Sequence, residues 1–98
     1  MKIGNSIKVK AGIACPDDES YDISGWQGRI LSIDEDLFEI EWDSITLSQM
    51  PEEFIINSVD EDLDYTTMWL ELEEIDISLP RDKKEDVAKK QEEIDAKY

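Results

Sequence analysis

The chain has 98 residues, 26 acidic and ten basic, with a net charge of −16, one cysteine and no histidine. That length holds one core and no second domain of useful size. Without histidine the commonest general base and transition-metal ligand are gone, and a lone Cys15 excludes both an internal disulfide and a cysteine-based zinc site.

No apolar run approaches the about 20 residues of a membrane-spanning helix, and Met1 to Lys10 lacks the apolar block of a secretory signal, so a cytoplasmic protein is expected. In chain order, Ile7 and Val9 alternate with Lys8 and Lys10, which predicts a first strand over 3–10. Residues 11–24 collect Gly12, Pro16, Asp17, Asp18, Glu19, Ser20 and Asp22, the composition of a long exposed loop. A second strand is predicted over 26–33, with Gly28 marking a bulge or a close approach of another backbone. Asp34, Glu35 and Asp36 make a polar turn before the clearest strand, 37–42, where Phe38, Ile40 and Trp42 alternate with acids. Asp43-Ser44 reads as a tight turn and 45–50 as the strand returning from it. Pro51-Glu52-Glu53 starts a short helical segment over 51–57. Residues 68–77 then supply a strand, a turn at Glu73-Glu74 and a short extension that closes a barrel. Beyond Pro80, Val87, Gln91, Ile94 and Tyr98 fall 4, 3 and 4 apart on a thin stripe, the pattern of a charged tail that is helical or disordered until a partner orders it. The expected division is an acidic body over 1–79 and this tail over 80–98.

The run from Ile3 to Lys10, followed by Gly25-Trp26-Gln27-Gly28-Arg29-Ile30 and Ile33-Asp34, resembles the KOW-type opening of small SH3-like β-barrels. The resemblance covers about the first 45 residues. It implies a mainly β, five-stranded SH3-like barrel with a short helical turn. Members of that kind often bind ribosomal RNA through basic loops; the loops here are acidic, so the barrel carries over and the RNA does not.

Residues 1–79 hold four basic side chains against twenty acidic ones, whereas the tail is balanced at six and six. The body therefore carries the whole imbalance, which repels nucleic acid and anionic membrane and attracts cations and basic proteins. A monomeric, noncatalytic module that binds a basic protein or peptide is the leading expectation. Aromatics beside acids engage such peptides, which nominates Tyr21, Trp26, Tyr65 and Trp69 with Asp17, Asp18 and Glu19; Tyr21 and Tyr65, in polar segments, are expected to be exposed, and Trp42 to be core. Asp60, Asp62, Asp64 and Glu71 have the 1, 3, 5 and 12 spacing of an EF-hand calcium loop, although Tyr65 stands where that loop needs glycine. Calcium binding is thus one alternative; another is a nucleic-acid mimic whose carboxylates imitate phosphates and block a nucleic-acid site. Paired carboxylates in so small a barrel lack the cleft that acid–base catalysis requires, so no enzyme is expected.

Overall fold

Alternation of apolar and acidic residues makes the centre of a sheet. In the computed structural model, which describes all 98 residues, Phe38, Ile40 and Trp42 point inward from one strand, and the sheet extends on both sides of it. The strands are β1 (Ser6–Val9), β2 (Gln27–Asp34), β3 (Leu37–Trp42), β4 (Thr67–Glu71) and β5 (Ile75–Ile77), all antiparallel, in the order β4-β3-β2-β1-β5. β4 and β5 are separate edges, so the sheet is not closed as the barrel expectation had it. A 3₁₀ turn over Leu72–Glu74 spans the gap, fixed by Glu74, whose carboxylate accepts from the Glu71 amide at 2.8 Å.

Gly28 marks a close backbone approach: a Cβ there would stand 2.3 Å from the Glu41 carbonyl oxygen on β3. The bulge falls two to four residues later, where the β2–β3 register shifts between Ile30 and Ser32. The β2–β3 hairpin turns through Glu35 in the left-handed region, φ 54°, an acid doing what glycine usually does.

The segment expected as a returning strand is instead helix α1 (Ser44–Gln49). Its Ile45-Thr46-Leu47 run suits a strand, but Asp43 caps a helix by accepting from the Thr46 amide at 2.7 Å. Buried Thr46, Leu47 and Met50 then fall at helical spacing, and Pro51 ends the run. Helix α2 (Glu52–Asp60) follows at once and ends about one turn later than expected, with Phe54, Ile55 and Ser58 buried on one face. Glutamates in its first turn favour the positive end of the helix dipole. The two helices thus occupy the β3–β4 connection, where the expectation is a tight turn, a strand and one short helical segment.

The tail forms helix α3 (Lys84–Lys97), which packs on α1. Its thin stripe is the contact surface: Val87 is buried, Ile94 is half-buried against the core, and Gln91 donates to Glu41. Two ion pairs anchor its root. Arg81 grips the buried Asp43 carboxylate through Nε at 2.9 Å and Nη2 at 2.8 Å, and Arg29 Nη2 lies 2.9 Å from Asp82 Oδ1. Asp82 Oδ2 in turn accepts from the Ser44 amide at 2.7 Å. Both arginines of the chain are spent on this junction, where planar two-point recognition of a carboxylate favours arginine over lysine.

Candidate functional site

Two acidic loops that are remote in sequence meet in space. The β1–β2 loop bends back on itself through an isolated bridge between Ala14 and Asp22, and Asp18 stiffens its tip by accepting from the Ser20 amide at 3.0 Å and hydroxyl at 2.6 Å. Those bonds, the hydroxyl's first, hold the Asp18 carboxyl below its ordinary range. Across from it, α2 ends in a turn through Asp62, φ 60°, and the Leu63 amide bonds back to Ser58 at 2.7 Å. Asp64 accepts from the Thr66 amide and hydroxyl, which sets the chain into β4.

Between the loops lies a groove of about 100 Å³. Asp17, Asp18, Glu61 and Asp64 contribute its carboxylates; Phe54, Leu63, Met68 and the buried Cys15 give it apolar walls. Tyr21 and Asn57 bridge the two sides, with Asn57 Nδ2 donating to the Tyr21 hydroxyl at 3.0 Å. Tyr21 also packs edge-on to Phe54 at 5.2 Å, and Phe54 meets Trp26 at 5.5 Å, which meets Trp42 at 5.2 Å. This aromatic column ties the groove to the centre of the sheet. No lysine or arginine is among the lining residues.

Of the residues expected to bind a partner, Asp17, Asp18 and Tyr21 therefore meet at one place. Glu19 turns away into a shallow depression with Gly12 and Asp22. Trp26 is half-buried in the aromatic column, and Trp42 is fully buried. Trp69 is 41% exposed, on the outer face of β4 opposite Glu39.

Tyr65 corrects the expectation of exposure. Its polar neighbours suggested solvent, but α3 covers it, leaving 6% accessible, and its hydroxyl donates to Asp95 Oδ1 at 2.6 Å. Burial, with Asp95 and Asp64 adding to it, pushes that hydroxyl far above its ordinary range.

The calcium-loop spacing does not build a loop either. Asp60 ends α2, Asp62 turns in solvent, Asp64 faces the groove and Glu71 caps the 3₁₀ turn at the far end of β4. A strand between the third and fourth of these carries them apart, and no three acidic side chains converge closely enough to hold a metal ion in this arrangement.

Asn57, Ser58 and Glu61 were missed as lining residues. Asn57 and Glu61 lie i, i+4 apart, a spacing that puts them on one helical face, but only when the helix runs past the expected end at Asn57. No helix is long and apolar enough to cross a membrane. Set against family models, curated proteins and solved structures, the chain matches none of them.

Proposed function

We propose that the chain is a noncatalytic binding module that captures a basic protein surface or peptide in the groove between its two acidic loops. The observation that carries this reading is the gathering of Asp17, Asp18, Glu61 and Asp64 over apolar walls without a balancing cation among the lining residues. A lysine or arginine side chain has the matching form, an aliphatic stem that suits Phe54 and Met68 and a charged head that suits the rim. The body's net charge of −16 adds a long-range field that draws such a partner in. What supports an SH3-like, KOW-type reading of the open sheet is its connectivity: a meander of β2, β3 and β4, then a 3₁₀ turn and a β5 that returns to β1. A monomer in the cytoplasm is the setting this reading carries, in keeping with a single, buried, free cysteine.

The test is binding of a lysine-rich peptide, followed by backbone amide shifts at low and high salt. Shifts are expected at Asp17 to Tyr21 and at Glu61 to Met68. Affinity should fall steeply as added salt shortens the screening length below about 8 Å. Asp17→Asn, Asp18→Asn, Glu61→Gln and Asp64→Asn, combined in one chain, should remove most of the binding. Capture that ignores both salt and these substitutions refutes the reading.

A second reading, calcium binding, is favoured by the donor set. Apart from the buried Cys15, the polar groups of the groove are oxygens and one amide, the ligands a hard cation takes, and the four carboxylates are on exposed side chains. Saturable shifts at Asp17 to Asp22 or at Asp60 to Glu71 on titrating Ca²⁺ would support it. An absence of shifts at millimolar calcium would remove it.

A further inference from the structure

The groove opens beside the first residue of an edge strand, Thr67 of β4. Trp42 donates to the Thr66 carbonyl, so residues 66, 68 and 70 hydrogen-bond to β3 and the backbone groups of Thr67, Trp69 and Glu71 point the other way. The Glu71 amide is taken by Glu74. Thr67 and Trp69 keep an outward N–H and C=O each, on a strand with no neighbour beyond it. The opposite edge is poorer, since β5 has three residues and the Ile75 amide is already bonded to Leu72.

We propose that β4 is a strand-addition site for an extended basic segment. Such a segment pairs its backbone with Thr67 and Trp69, lays an apolar side chain on Trp69, and places a lysine or arginine in the carboxylate groove at the start of the same edge. This rests on the reading of the groove as a cation-binding site and adds the conformation of the partner. Charge selects the occupant. Glu39 faces Trp69 across the outer surface, Glu71, Glu73 and Glu74 follow along the edge, and Asp64 precedes it. A second copy of this chain would bring the same carboxylates and a further net charge of −16 to the interface. An alternating segment with lysines on one face brings the opposite charge. Its backbone supplies the donors and acceptors that the edge lacks.

The experiment uses the full chain and two synthetic peptides of alternating lysine and valine, one unmodified and one N-methylated at every second residue so that one backbone edge cannot donate. The unmodified peptide is expected to shift the Thr67 and Trp69 amides and slow their hydrogen exchange. N-methylation should weaken binding at least tenfold, the effect of losing two backbone hydrogen bonds at about 1 kcal/mol each. Trp69→Thr, which keeps a strand-forming residue at the edge, should weaken both complexes less than N-methylation weakens one.

Equal binding of the two peptides, with shifts confined to Asp17, Asp18, Glu61 and Asp64, overturns strand addition and leaves the groove reading standing. Failure of the unmodified peptide to bind at low salt overturns both.

Discussion

Replacing Arg81 with methionine tests whether the body and the tail helix are one cooperative unit. Arg81 makes a two-point contact with Asp43, at 2.9 and 2.8 Å, and its Nη2 also reaches the Thr46 hydroxyl at 3.0 Å. The Asp43 side chain is only 5% exposed, so losing its partner strands a carboxylate away from water. Breaking a buried pair in this way costs about 3–5 kcal/mol when both ions are fully enclosed. Arg81 is 29% exposed, and water already screens part of its charge, which lowers the expected cost to about 2–3 kcal/mol. For a domain of this size that is a fall in melting temperature of about 10–20 °C. Urea and thermal unfolding followed by circular dichroism would measure it, with hydrogen exchange across Lys84–Lys97 reporting whether α3 loosens. Lys10→Met is the control. Its partner Asp76 is 3.7 Å away and both side chains are well exposed, so a change within about 0.5 kcal/mol is expected. If Arg81→Met cost no more than that control, the junction would be ordinary surface charge and the argument from burial would fail.

Gly28→Ala should destabilise by about 2–4 kcal/mol, because the new Cβ meets the Glu41 carbonyl, a backbone atom held in the β2–β3 ladder that cannot step aside cheaply. Gly12→Ala, which meets nothing within 4 Å and strains only its positive φ, should cost about 1 kcal/mol by the same urea assay. Tyr65→Phe removes the bond to Asp95 and should cost about 1 kcal/mol near neutral pH. Because the folded Tyr65 pKa is raised, its contribution is whole below the unfolded value of about 10 and drains away as pH climbs above it, so wild type should lose stability in alkali that Tyr65→Phe keeps. At Asp82 burial pushes the carboxyl up, but hydrogen bonds from Ser44 and the Arg29 charge outweigh it and hold the group below its ordinary range. That stabilisation is present above an unfolded pKa of about 3.9 and is lost as pH falls through the folded value; Asp82→Asn should flatten the acid limb of a stability–pH curve there.

The parts of the fold that could be read from the sequence are those where one periodicity has no rival. β3 matches its expected ends because Phe38 to Trp42 alternates strictly and the run from Leu37 is bounded by turn residues. α1 departs from the expected strand because Ile45, Thr46 and Leu47 serve either state over so short a run, and the outcome rests on Asp43, a residue that suits a hairpin turn as well as a helix cap. Tyr65 was misread for a different reason. Burial there is supplied by Asp95 and its helix, from a segment whose stripe looked too thin to dock. The stripe is thin because the arginine junction at its root does much of the holding, and a polar contact between residues 38 apart in the chain leaves no periodic trace. The acidic loops were recognisable as loops, but their meeting depends on α2, whose last turn sets Asn57 against Tyr21.

That dependence explains how one insertion produces both halves of the proposed site. A tight β3–β4 hairpin would leave the β1–β2 loop facing solvent. With α1 and α2 between those strands, Phe54 can carry Tyr21 on one side and Trp26 on the other, and Glu61 and Asp64 are delivered opposite Asp17 and Asp18. The same detour delivers the chain to β4 directly from the groove, so the outward backbone groups begin where the carboxylates end. An open edge beside exposed Trp69 would ordinarily invite self-pairing, and natural sheets guard such edges with charge. Here the guarding charge has a single sign, which repels a second acidic copy and, on the proposal above, attracts a basic strand.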